Sequence, residues 1–374
     1  MILQNDFARQ WKAIEPKVLE AVRRVGSSGW YILGKEVEQF EKELAEHSGV
    51  AHAVGVGNGM DALEIALRCL GLRAGQKVLT ASLSAFASTL AILRIGGVPV
   101  FVDIDETGNL DLVQCREVLA RDRAIRFLLP VHLYGNPVNL EKLAELKEEF
   151  DLQIVEDCAQ AIGATDRGRR AGTVGQAAAT SFYPTKNLGA LGDGGAVLTD
   201  DASIATHART LRNYGQSSLY YHSELGLNSR LDELHAAILR EAFLPNLANW
   251  TGRRREIARA YQREIRHPGI GLLPVEADAG AVWHLFPVLV NKGKRDALRD
   301  YLRSKEILTG IHYPRIIPDQ EALEGFRDEK WPTSFEQARH FAECELSLPI
   351  HPFLTDAEVA TVIDACNGWV AAAN

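Results

Sequence analysis

Between about Val50 and Asp200, short runs rich in Val, Ile, Leu and Phe alternate with longer segments whose apolar residues recur every three or four positions. The short runs are VLTAS (78–82), VFVDI (100–104), IRFLLPVHL (125–133), LQIVED (152–157), ATSFYP (179–184) and GAVLT (195–199), with charges only towards their ends. Strands that read as continuous apolar runs are buried on both faces. The intervening segments, such as DALEIALRCL (61–70) and LEKLAELKEEF (140–150), carry the helical period. The alternation predicts an α/β fold with a largely parallel sheet covered by helices, in which ligands bind beyond the carboxyl ends of the strands.

A chain of 374 residues exceeds one small core, which predicts two domains. After Ser229 a helical pattern, RLDELHAAILREAF, runs to Pro245, and a charged segment with Arg253, Arg254 and Arg255 reads as a solvated face. From about Gly269 short strands such as VWHLFPVLV (282–290) mix with helices. The boundary is expected near 250, giving a large domain over 1–250 and a smaller α+β domain over 251–374. The net charge of −8 excludes the basic footprint that non-specific nucleic-acid binding needs. No apolar run approaches the roughly 20 residues of a membrane span, and MILQNDFARQW lacks the features of a signal peptide. Five scattered cysteines without a C-x-x-C pair or a metal-spaced cluster read as reduced, small buried residues. The expectation is a cytoplasmic chain without a metal.

Three stretches carry candidate chemistry. In GVGNGMDALEIAL (55–67) alternate glycines open a helix, which makes either an anion cradle of backbone N–H groups or a plain glycine-rich turn. The spacing of a dinucleotide fingerprint is not met. In IVEDCAQAIGA (154–164) two acids close a buried strand. Asp157 either faces the ligand edge, with Gln160 on the same side, or caps the following turn. In SFYPTKNLGALGDGGAV (181–197) Lys186 lies just past a strand, with glycines behind it that permit tight folding. Alone, that lysine reads as an anion contact or a nucleophile. Together, a phosphate cradle, a strand-end aspartate and a lysine at one sheet edge are the parts that hold pyridoxal 5′-phosphate (PLP). The lysine bonds the aldehyde, the carboxylate pairs with the pyridinium nitrogen, and the glycine turn takes the phosphate.

The sequence resembles the sugar-nucleotide aminotransferases of the DegT/StrS type, a branch of the fold type I PLP enzymes. The likeness runs through SSGWYILGKEVEQFE (27–41), GNGMDAL (57–63), PVHLYGNP (130–137), EDCAQA (156–161), the Lys186 stretch, NSRLDEL (228–234), GIHYP (310–314) and LSLPIHP (346–352). The resemblance implies that Lys186 is the cofactor lysine and the proton-moving base, that Asp157 binds the pyridine nitrogen, and that Gln160 lies near the ring hydroxyl. It assigns the phosphate to the Gly59 and Met60 amides, the Ser181 hydroxyl and, from the second subunit of a homodimer, Asn228; Asn228 also suits an N-cap before RLDEL. Candidate sugar contacts are Tyr183, Arg212, Asn213, His312 and Tyr313, with Tyr220, Tyr221 and His222 contributed by the partner subunit. An aromatic residue is usual at the position of Ala85, whereas here it stands at Phe86, and Asn136 replaces a common glutamine. The implied reaction moves the amine of L-glutamate to a nucleotide-linked keto sugar. The nearest pattern is C3 amination of a dTDP-3-keto-6-deoxyhexose, giving a dTDP-3-amino-3,6-dideoxyhexose for deoxysugar biosynthesis. C4 amination is the alternative, and a non-enzymatic regulator on the same fold a further one.

Overall fold

The computed structural model describes residues 1–275, 280–326 and 334–370. Two amphipathic helices come first, α1 (Phe7–Ser28) and α2 (Lys35–Ser48). Asp6 starts α1 by accepting the Arg9 N–H, and Ile14, Val18, Ala21 and Val25 form its buried stripe. Seven strands then build the central sheet: β1 (His52–Val56), β2 (Lys77–Ala81), β3 (Val98–Val102), β4 (Phe127–Leu129), β5 (Gln153–Asp157), β6 (Ala177–Ser181) and β7 (Gly195–Thr199). Between them lie α3 (Gly59–Cys69) and α4 (Phe86–Arg94). The spatial order is β1-β7-β6-β5-β4-β2-β3. Strands β6, β5, β4, β2 and β3 are parallel, and only β7 runs antiparallel to both of its neighbours.

Both faces of this sheet are buried, because the two-residue period of a strand distributes its side chains between two cores. Ala177, Ala179 and Val197 join a cluster with α3, whereas Ala178, Ala196 and Leu198 join a second one with α1 and α2. Fully buried Phe182 sits in that second core, edge-on to Phe40 at 5.4 Å. Burial of such a side chain stabilises by about 2–3 kcal/mol and anchors the start of the lysine loop.

Several expected elements are shorter than their apolar runs. The strand within 125–133 stops at Leu129, because Pro130 has no N–H to offer a ladder; its carbonyl instead accepts the Asp157 N–H at 2.9 Å. The helix expected from Arg230 begins at Glu233, capped by Asp232, and passes into a π-turn at Leu239–Phe243 before Pro245. Asn228 is therefore not its N-cap. Within 282–290 only Phe286–Val290 is strand; Val282 and Leu285 donate to the Gly135 and Tyr134 carbonyls instead.

Helix Leu247–Glu264 carries the three arginines, and they do not form one solvated face. Successive helical residues turn by about 100°, so Arg253 pairs with Glu256 and Asp356 while Arg254 points inward and is buried. Beyond it, Ile270–Leu272, Phe286–Val290 and Glu345–Leu348 form a small antiparallel sheet. No helix among the described residues is long and apolar enough to cross a membrane. All five cysteines are free.

Candidate functional site

Strands β5 and β6 are parallel, so Asp157 and Ser181 end at the same sheet edge. Asp157 is buried, and its two oxygens divide their work: Oδ1 accepts the Ala159 N–H at 3.0 Å, and Oδ2 accepts the Ser88 hydroxyl at 2.7 Å. The side chain thus caps a turn through Oδ1 and is tied to α4 through Oδ2. The neighbouring Glu156 points the other way. It accepts the N–H groups of Gly172, Val174 and Gly175 at 2.7–2.8 Å and bonds His132 Nε2 at 2.9 Å. Burial disfavours its charge, but these bonds outweigh that and hold its carboxyl below the usual range.

The loop after β6 is tightly tied. Phe182 donates to the Gly194 carbonyl, Ala190 to that of Phe182, and Lys186 to that of Tyr183, at 2.7–2.8 Å. Gly189 is required, since a Cβ there would lie 2.4 Å from the Pro184 carbonyl oxygen. The Lys186 ammonium has no hydrogen bond or ion pair among the described residues. Burial drives its pKa down to about 8, against the opposing attraction of Asp157.

Helix α3 starts beside this loop. Asn58 caps it by accepting the Asp61 N–H, leaving the Gly59 and Met60 N–H groups at the positive end without an intrahelical acceptor. A Cβ on Gly59 would lie 2.6 Å from Ser181 Cβ, and one on Gly195 would lie 2.7 Å from Gly59 N. The first turn of α3 therefore lies directly against Ser181. Free N–H donors, a hydroxyl, a carboxylate and an unpaired amine at one edge fit the phosphate, ring nitrogen and aldehyde of PLP.

Gln160 joins this group from the turn after β5, its Oε1 accepting the Tyr134 N–H at 2.7 Å and its Nε2 donating to Tyr313 Oη at 3.2 Å. His312 arrives with Tyr313: its carbonyl accepts the Tyr134 hydroxyl at 2.6 Å, and Nδ1 meets Ser347 Oγ at 2.9 Å. Ser347 in turn donates to buried Glu345 at 2.5 Å, so the His312 contact must come from an Nδ1–H. Burial, then the nearby Lys186 charge, lowers the His312 pKa to about 4 and keeps the ring neutral. Burial raises Glu345 to about 7. His284, also beside Lys186, bonds Asn187 at 3.3 Å.

Other expected residues lie elsewhere in the chain. Arg212 is buried in an ion pair with Glu41 and donates to the Gly55 carbonyl at 2.8 Å, which makes it a strut rather than a sugar contact. Asn213 accepts from Arg230 at 3.0 Å. Asn228 bridges to Asn213, while Tyr220, Tyr221 and His222 lie on an exposed hairpin; none of the four bonds the Lys186 group. Tyr183 is 52% exposed. Phe86 opens α4 and packs against the large core, and Ala85 is the residue before it. Ser88, His284, Ser347 and Glu345 went unnoticed in the sequence; HLF within 282–290 and the serines after β2 were the only local hints.

Three comparisons bear on this arrangement. A dTDP-3-amino-3,4,6-trideoxy-alpha-D-glucose transaminase of Streptomyces venezuelae is 44% identical, covering 97% of this chain and 95% of that protein. A dTDP-3-amino-3,6-dideoxy-alpha-D-galactopyranose transaminase of Aneurinibacillus thermoaerophilus is 42% identical over 95% and 96%. The crystal structure of S. venezuelae DesV in complex with a ketimine intermediate superposes with a TM-score of 0.93 at 43% identity, covering 98% of both chains. The model of the DegT/DnrJ/EryC1/StrS aminotransferase family matches residues 12–367. With nearly its whole length matched and a lysine and an aspartate set at one sheet edge, this chain belongs to that aminotransferase family.

Proposed function

We propose that this PLP-dependent aminotransferase moves the amine of L-glutamate to C3 of a dTDP-linked 3-keto-6-deoxyhexose. The observation that carries the reading is Lys186, a buried amine without a hydrogen-bond or ion-pair partner among the described residues, set beside Asp157. The choice of C3 and dTDP is supported by the two transaminase relatives, whose names both carry a 3-amino sugar on dTDP.

When bound, PLP supplies an aldehyde that takes up amines and a ring that accepts electrons. The rest is the work of this chain. Lys186 Nζ, brought down to a pKa of about 8 by burial, would bond the aldehyde and, when free of it, would take and return a proton as a base. Asp157, oriented by the Ser88 hydroxyl and the Ala159 N–H, would pair with the ring nitrogen. The Gly59 and Met60 N–H groups and the Ser181 hydroxyl would seat the phosphate, and Gln160 would lie near the ring hydroxyl. His312 presents its lone pair at Nε2 and, with Tyr313 and Tyr183, receives the sugar.

In this reading residues 1–250 form the large domain that seats the cofactor and residues 251–374 the smaller domain. The protein works in the cytoplasm as a homodimer whose partner lends Asn228, Tyr220, Tyr221 and His222. The high exposure of Tyr220 (80%), Tyr221 (73%) and Trp30 (61%) within one chain supports such an interface. Purified protein supplied with PLP should show a visible absorption band that glutamate bleaches, and Lys186→Ala should lack both. Product NMR with 3-keto and 4-keto nucleotide sugars tests the carbon; amination of the 4-keto substrate alone would overturn C3. Mixing Lys186→Ala with Asn228→Ala protein should restore activity if the sites are shared.

A further inference from the structure

Residues 310–313 meet the Glu345–Leu348 strand through an antiparallel bridge. The Gly310 N–H donates to the Ser347 carbonyl at 3.0 Å, and the Ser347 N–H donates to the Gly310 carbonyl at 2.8 Å. Side chains two apart in a strand share a face, so Glu345 and Ser347 point the same way and His312 meets both. The imidazole leans over Gly310, where a Cβ would lie 2.6 Å from His312 Cε1.

The three residues form one chain of hydrogen bonds. Glu345 Oε2 accepts the His312 backbone N–H at 2.6 Å, Oε1 meets the Ser347 hydroxyl at 2.5 Å, and Ser347 Oγ meets His312 Nδ1 at 2.9 Å. Glu345 and Ser347 are fully buried, so solvent does not compete for these contacts. The backbone N–H can only donate, which keeps Oε2 an acceptor whatever the charge of the carboxyl. A proton on Glu345 is then best placed on Oε1, where it points at Ser347.

The chain can therefore run in two directions. With Glu345 charged, Ser347 donates to it and His312 donates through Nδ1–H, which leaves Nε2 bare. With Glu345 protonated, Oε1–H donates to Ser347, Ser347 donates to Nδ1, and the ring hydrogen is on Nε2. One proton taken up at Nε2 accounts for the change: the Nδ1 hydrogen passes to Ser347, and the Ser347 hydrogen passes to Oε1. Every buried group keeps its partner in both states. His312 is half-buried, its Nε2 makes no hydrogen bond among the described residues, and the Lys186 charge reaches the ring.

We infer that Glu345 is a positioning residue for the sugar: through Ser347 it keeps His312 Nε2 an acceptor for a sugar hydroxyl, and its protonation turns Nε2 into a donor. The inference rests on the aminotransferase reading for the sugar as the group that meets Nε2. Burial, opposed by the His312 N–H, the Ser347 hydroxyl and the Arg295 charge, puts the Glu345 pKa at about 7. Tyr134 and Tyr313, which also feel Glu345, titrate far higher, and the His312 pKa of about 4 keeps the ring neutral. Lys186, at about 8, acts on the His312 ring rather than on Glu345.

The test reads the ring by 15N NMR of histidine-labelled, cofactor-loaded protein, with the His312 signals identified by their loss in His312→Gln. In wild type the hydrogen should sit on Nδ1 at about pH 8.5 and on Nε2 at about pH 5.5. Glu345→Gln should hold it on Nε2 throughout, because its amide oxygen must take the His312 N–H and its NH2 then donates to Ser347. Wild-type affinity for dTDP-glucose, an unreactive dTDP-hexose, should rise about tenfold by calorimetry between those pH values, the scale of one hydrogen bond. Glu345→Gln should stay at the weak limit, while L-glutamate bleaches the visible band equally in both proteins. A wild-type ring that keeps its hydrogen on Nδ1 at both pH values, or a Glu345→Gln ring that does so, would overturn the inference. So would a tautomer that switches without moving the dTDP-glucose affinity. A switch in both, in a protein that transaminates nothing, would keep the positioning role and remove the proposed function. Should Glu345→Gln fail to fold, the wild-type titration decides alone.

Discussion

The Ser88 hydroxyl donates to Asp157 Oδ2 at 2.7 Å, from a helix that follows a different strand. This bond fixes the orientation of the carboxylate proposed to pair with the ring nitrogen. Asp157→Ala should abolish transamination, whereas Ser88→Ala should lower kcat/KM by roughly tenfold, the scale of one hydrogen bond to a charged group. PLP titration of each variant, followed by its visible band, separates lost affinity from lost turnover.

In the proposed reaction Lys186 would bond the cofactor aldehyde only as the neutral amine. Burial pulls its pKa from the ordinary lysine value to about 8, so the neutral fraction grows as pH rises through 8 and saturates above it. The uptake rate of PLP by cofactor-free protein should therefore climb to a plateau near pH 9. A rate still climbing at pH 10 would mean an ordinary, solvated lysine. Stopped-flow absorbance reads this directly.

Glu156 is a buttress, not a reagent. Replacing it with alanine leaves three buried N–H groups and His132 without their acceptor. The expected loss is about 3–5 kcal/mol of stability, seen in urea denaturation, with the visible band retained by whatever fraction folds. Because the folded carboxyl titrates below its ordinary value, its contribution is present above about pH 4.5 and is lost as pH falls through the folded pKa. Glu156→Gln should blunt that part of acid unfolding.

Arg212→Met should behave as a folding defect as well. It leaves Glu41 buried with only Arg209, at 3.6 Å, and the Gly55 N–H for company. Melting temperature should fall by several degrees, while KM for either substrate in the surviving enzyme stays unchanged. A selective rise in the sugar KM would restore Arg212 as a substrate contact.

Much of this was legible because the strands are buried on two faces, and apolar runs then mark where each strand ends. Asp157, Ser181 and Lys186 could be placed at one edge without a structure. What escaped depends on contacts between distant segments. Glu345 and Ser347 lie in an apolar-looking run, where they bond each other, and the approach of residues 310–313 gives each a further partner. Arg254 was hidden inside a basic triplet whose members the helix turns in different directions. Arg212 looked available for an anion until Glu41 was found against it.

The antiparallel β6–β7 pairing, with Ser181 opposite Gly195, has a mechanical consequence. Ser181 and Lys186 ride on one hairpin held inside a seven-stranded sheet, so the interval between the hydroxyl and the amine is set like a fixed jig. His312 hangs from a separate mount, the small sheet carrying Ser347 and Glu345. Heating or mutation that loosens the small sheet should throw substrate handling out of alignment while the jig still grips its cofactor.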